Sequence, residues 1–347
     1  MDTPISVHTH KDLTFNSSCD GLKIYYDIYE PSPLPSRPII IQIAHGMVEH
    51  KARYEWAASN LAQKGFIVAI NDHRGHGKSI DKSHPWGEMR GLGDAESQVN
   101  QDSKNHTNTD KSRAESTDGF RRAVKDMHQL TEILKARYND SRFVLLGHSM
   151  GSLLSRGYLK LYASELDALI LSGSPAYNPL IGVGKTLAQI LKILTLESQG
   201  KNIINALSFG GFNRPFLHNV GEDNAKGGFA WLCRDKAVVE AYKADSACQF
   251  VFSLSSFIGL FAGMQWVNDT HDVQAEHLPL LVASGNRDSC GDFGIGVEKI
   301  ARQYEKCGLD VELVLYEGAR HEILNETNKT QVLNDMIAFI NNAIESK

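Results

Sequence analysis

The chain has 347 residues, a net charge of −5, 42% apolar residues and 22% charged residues. That supplies a sizeable globular core and suits one α/β domain carrying an insertion. Acidic and basic residues are interspersed without a basic stripe, which speaks against nucleic acid as a partner. The five cysteines are odd in number and form no C-x-x-C pair, which speaks against a disulfide framework or a zinc site and for a reducing, cytoplasmic setting.

In chain order, the polar opening of residues 1–13 has no apolar core of a secretory signal. Residues 13–15 and 22–29 read as an antiparallel pair around the turn Asp20-Gly21. Pro38 introduces the apolar run 39–44, a buried strand, and residues 54–64 read as a helix stopped by Gly65. A strand follows at 66–70. The 3.6-residue spacing of Phe120, Val124, Met127, Leu130 and Leu134 predicts a helix over 118–138. Then come a strand at 143–146, a helix at 151–162 and a strand at 168–171. The last set is a strand at 280–283, a helix at 293–306, a strand at 311–316 and a helix at 331–344. Such alternation predicts a mostly parallel central sheet flanked by helices.

Two segments break the rhythm. Residues 91–117 are polar and read as a mobile loop. Residues 175–277 have helical and irregular pattern and read as a helical lid inserted into a core formed by 1–174 and 278–347. Within the lid, the uncharged apolar stretch 250–267 approaches the length of a membrane span. Its serines and the flanking Asp245 and Asp269 favour a buried or pocket-lining helix.

The run Gly147-His148-Ser149-Met150-Gly151 lies between a strand and a helix. That is the setting of a nucleophile elbow, in which Ser149 occupies a strained turn and its neighbours two away must be small. A serine hydroxyl needs a base, and in this architecture the order is serine, acid, histidine. Asp288 follows the strand at 280–283 and is the expected acid. Asp292 is the rival, but it is placed to cap the helix expected from Phe293. His321 follows the strand at 311–316 and is the expected base. The oxyanion hole needs two N–H donors. Met150 supplies one, and Met47, in the loop His45-Gly46-Met47, supplies the other. His45 then has a structural part. The spacings of His45 with His50 and of His73 with His76 lack coherent further ligands, so no metal and no cofactor are expected.

These stretches carry a resemblance. His45-Gly46-Met47-Val48-Glu49-His50 followed by Arg53-Tyr54 resembles the H-G-x-x-E-H-x-x-R-Y signature of monoacylglycerol lipases and bacterial lysophospholipases. Asp72-His73-Arg74-Gly75-His76-Gly77-Lys78-Ser79 is similar to their D-x-R-G-x-G-x-S loop. The acid segment Asp288-Ser289-Cys290-Gly291 departs from the family's D-P-V-G. The resemblance implies the α/β-hydrolase fold and a cofactor-free serine ester hydrolase. Its substrates would be monoacylglycerols or lysophospholipids, with aminopeptidase chemistry or a non-catalytic binding relative as alternatives. Lid aromatics, Phe257 and Phe261 among them, are expected to line an acyl tunnel. An apolar lid rim could dock transiently on a membrane surface.

Overall fold

The computed structural model describes residues 5–92, 118–217 and 228–345. Eight strands form one sheet in the order β1-β2-β4-β3-β5-β6-β7-β8. The edge hairpin is β1 (Ser6–Asn16) and β2 (Lys23–Ser32), which turns at Gly21 with φ 78°. Both strands run longer than their apolar cores suggest, because the hairpin ladder pairs the largely exposed β1 with β2 as far as Ser6 and Ser32. From β3 (Ile39–Ala44) and β4 (Ile67–Asn71) onward every pairing is parallel, through β5 (Arg142–His148), β6 (Ala168–Ser172), β7 (Pro279–Gly285) and β8 (Asp310–Tyr316). β3 to β6 are buried on both faces, as continuous apolar runs require.

Two apolar layers cover the sheet. One packs α2 (Gly119–Arg137), α3 (Met150–Tyr162) and α8 (Ile295–Glu305) around Phe120, Leu153 and Tyr304. The other packs α1 (Glu55–Gln63) and α9 (Lys329–Glu345) around Leu61, Met336 and Ile340. Asp118 caps α2 by accepting from the Phe120 N–H. One expectation fails here. α8 begins at Ile295 with Gly294 at its cap, φ 90°, so Asp292 does not cap it by a side chain. Asp292 and Phe293 both sit at φ 54°, extending the loop by two residues.

Between β6 and β7 the chain forms α4 (Ile181–Ile193), α5 (Glu197–Phe209), α6 (Lys236–Ala244) and α7 (Leu254–Asn268). α7 is the apolar stretch singled out above. Ser253 caps it, and it packs on α2, where Gly263 lies against the Phe120 ring. Among the described residues no helix is long and apolar enough to cross a membrane. The polar loop 91–117, except Gly91 and Leu92, lies outside the described residues.

Candidate active site

β5 ends at His148, and α3 starts at Met150. Ser149 makes the turn at φ 52°, ψ −116°, a conformation a side-chain-bearing residue holds only under constraint. The constraint is close packing. A Cβ on Gly147 would meet the Ser155 Oγ at 2.3 Å and the Gly151 carbonyl oxygen at 2.4 Å. A Cβ on Gly151 would meet the Ala44 carbonyl oxygen at 2.0 Å.

His321 and Asp288 come from loops after β8 and β7. Gly285 lets these loops touch, since a Cβ there would lie 2.0 Å from the Ala319 carbonyl oxygen. His321 Nε2 lies 2.8 Å from Ser149 Oγ, and its Nδ1 lies 3.0 Å from Asp288 Oδ2. Asp288 also accepts from Ser284 Oγ at 3.0 Å and from the Cys290 N–H at 2.9 Å. Burial would push the Asp288 carboxyl up, but the His321 imidazole and these donors hold it below its usual range. Burial pulls His321 down, yet the Asp288 charge and hydrogen bond outweigh it and the pKa is raised. An anionic Asp288 fixes the proton on Nδ1 and leaves Nε2 free to accept the serine proton. Among the described residues, Asp292 makes no such contact; its carbonyl accepts from the Ile295 N–H.

Met150 N–H opens α3, where the helix dipole favours negative charge. Met47 follows Gly46, whose Cβ position is 3.2 Å from the Ser149 Cβ. The Gly46 N–H is taken by Glu49 Oε1. Among the described residues neither the Met47 nor the Met150 N–H has a protein acceptor. His45 is fully buried, accepting the His73 N–H at Nε2 (2.9 Å) and facing the Gly46 carbonyl with Nδ1 (2.7 Å). Burial drops its pKa to about 3, so it stays neutral.

Three contributions escaped the sequence reading. Glu49 Oε1 accepts from Tyr54 Oη (2.8 Å), its Oε2 accepts from Arg53 Nη1 (2.6 Å), and Arg53 grips Glu322 with both Nη atoms at 2.8 and 2.7 Å. This chain of charges joins the Met47 loop to the residue after His321. The letters Glu49, Arg53 and Tyr54 were visible as a signature, but Glu322 had no local signal. His148 packs its ring 4.8 Å from that of His321; burial and the His321 charge lower it to about 4. Trp231, from the segment between β6 and β7, lies 4.8 Å from the His321 ring and covers it. Phe257 and Phe261 are buried in the main apolar layer, stacked at 5.9 Å, with Phe209 and Phe252 as ring neighbours of Phe257. Asp72 and Arg74 brace the loops beneath the site. Asp72 accepts from the Lys51 and Lys78 N–H groups, and Arg74 pairs with Asp20 and Asp126.

A parallel sheet with an elbow serine, and an acid and a histidine on the loops after β7 and β8, defines an α/β-hydrolase. Residues 36–328 match the family described as Serine aminopeptidase, S33, and the chain belongs to it. Monoacylglycerol lipase of Mycolicibacterium smegmatis is 27% identical over 92% of this chain and 93% of the relative. Monoglyceride lipase of Mus musculus is 25% identical over 99% of this chain and 94% of the relative. A solved lipase in its open form superposes with a TM-score of 0.76 at 25% identity, covering 97% of this chain and 99% of that one. The chain sits on the monoacylglycerol lipase-like branch of the superfamily.

Proposed function

We propose that this carboxylic ester hydrolase cleaves esters of medium- to long-chain acyl groups, of monoacylglycerol or lysophospholipid type, through an acyl intermediate on Ser149. The observation that carries the reading is the unbroken hydrogen-bonded line from Ser149 through His321 to Asp288. Ser149 Oγ attacks the ester carbonyl carbon while His321 Nε2 takes its proton. The carbonyl electrons move onto oxygen, where the Met47 and Met150 N–H groups stabilise them. As the tetrahedral adduct collapses, the C–O bond to the alcohol breaks and His321 returns the proton to the leaving oxygen. Water then attacks the acyl-serine, with His321 again as base. Asp288 stays ionised and stabilises the imidazolium.

Two features support a lipid-like substrate. The relatives named above are monoacylglycerol and monoglyceride lipases. The segment 175–277, read as a lid, also presents apolar side chains to solvent, with Ile193 at 79%, Leu207 at 70%, Leu180 at 67% and Val183 at 65% exposure. Such a face suits transient docking on a micelle or bilayer. Phe257 and Phe261 would shape the acyl cavity from within the apolar layer.

Incubation with a fluorophosphonate is expected to label Ser149 and abolish turnover. A p-nitrophenyl ester series should then show kcat/KM rising from acetyl to octanoyl, far above any aminoacyl anilide. Preference for anilides would favour the aminopeptidase chemistry in the family's description. Preference for acetyl would leave a general esterase and remove the lipid assignment.

A further inference from the structure

His50 has no metal partner in its own stretch of sequence, since both ring nitrogens of His45 are committed elsewhere. The fold gives it two from a segment 195 residues further on. Its Nε2 lies 2.8 Å from Asp245 Oδ2, and the ligand atoms of His50, Asp245 and Cys248 all lie within 4.8 Å of one another. Cys248 is buried, while His50 and Asp245 are partly open, with side-chain exposures of 16% and 38%. A cavity of about 200 Å³ opens beside them, lined by Arg53, Tyr242, Asp245 and Cys248. Asp245 Oδ1 accepts from the Ala247 N–H at 2.9 Å, which orients the carboxylate and leaves Oδ2 facing His50.

We propose that His50, Asp245 and Cys248 form a site for one divalent cation of the zinc type, which ties the loop carrying Met47 to the segment after α6. Imidazole, carboxylate and thiolate together suit zinc or cobalt, whereas magnesium and calcium take all-oxygen shells. Bonds of about 2.0 Å to nitrogen and about 2.3 Å to sulfur put tetrahedral ligands about 3.5 Å apart. Side-chain rotation toward a common centre provides that closure. The ion takes the Nε2 lone pair of neutral His50 in its Nδ1–H tautomer. The Cys248 thiol proton leaves to solvent, and the cavity side keeps the fourth position for water. Tyr242 Oη already donates to the Val48 carbonyl at 3.1 Å across the same junction, so the ion reinforces an existing contact.

Titration of Co²⁺ into the purified chain tests this by a readout independent of ester hydrolysis. A thiolate-to-cobalt charge-transfer band should appear, saturate at one ion per chain and be displaced by Zn²⁺, which should also raise Tm by mass action. Cys248→Ser should abolish the band, and Cys307→Ser, at a partly exposed thiol outside the cluster, should keep it. Asp245→Asn, at a partly exposed position, should weaken affinity on the order of tenfold or more and serves if Cys248→Ser misfolds. Absence of the band in the wild-type chain, its survival in Cys248→Ser, or unchanged affinity in Asp245→Asn would each overturn the site.

Discussion

At Ser149 the backbone stores strain at φ 52° and ψ −116°, and the surrounding contacts leave it nowhere to relax. Removing the hydroxyl relieves none of this and disturbs no packing, so Ser149→Ala should fold as the wild type does. Its kcat should fall by several powers of ten, because the three residues act as a unit. A variant keeping a tenth of the activity would exclude Ser149 as nucleophile. His321 binds its proton more tightly than the ordinary value of 6.5, because Asp288 lies beside it despite burial. The base works only when neutral. Thus kcat/KM should rise with pH through an apparent pKa above 6.5 and then level off. A profile already flat below that value would remove His321 from the role. Glu322→Gln weakens the Arg53 grip that links the Met47 loop to His321. The expected result is a kcat lowered on the order of tenfold with KM nearly unchanged, because a displaced oxyanion donor costs transition-state more than ground-state binding. Equal effects on kcat and KM would show that the network shapes substrate binding instead.

At the scale of elements, the elbow depends on a strand and a helix approaching to van der Waals contact. The Cβ of Gly151→Ala would fall 2.0 Å from a main-chain oxygen of Ala44 and 2.6 Å from that of His45. Backbone cannot yield as a flexible side chain does, so the cost should be about 1–3 kcal/mol or more. A urea midpoint equal to that of wild type would contradict the packing described here. Boundaries were read less well than elements. Helix α8 was expected from Phe293 and starts at Ile295, because two positive-φ residues and Gly294 continue the loop. Asp292 followed a sound capping rule, yet the φ values that decide where a helix starts are set by how the loop returns to the sheet. The stretch 250–267 fares better: its serines and flanking aspartates favour a buried helix over a membrane span, and α7 packs on α2 with Gly263 against the Phe120 ring.

For the whole molecule, the segment between β6 and β7 divides its apolar residues. Phe257 has no exposed surface, so placing a charge there would unfold the layer rather than probe an acyl tunnel. Ile193 and Leu207 stand out in solvent and can be changed without that penalty. The double variant Ile193→Glu with Leu207→Glu should keep its Tm and its turnover of a dissolved acetyl ester. Its rate on long-chain esters held in vesicles should fall several-fold. Equal rates on vesicles would show that this face does not meet the lipid surface.

The sequence by itself determined the sheet's parallel core, the elbow and the identity of Ser149, Asp288 and His321 as candidates, because these follow from local rules. Apolar runs make buried strands, glycines two residues either side admit the tight turn, and chain order after successive strands delivers the acid and base to one sheet edge. Only the tertiary structure decided what joins residues far apart in the chain. The Arg53–Glu322 pair, the Trp231 cover over His321 and the His50–Asp245–Cys248 cluster have no periodicity and no spacing to reveal them. The Trp231 and His50 contacts depend on how the segment between β6 and β7 folds back over the loops, and the Arg53–Glu322 pair on how the loops after β3 and β8 meet, long-range packing outcomes that no short window of sequence encodes.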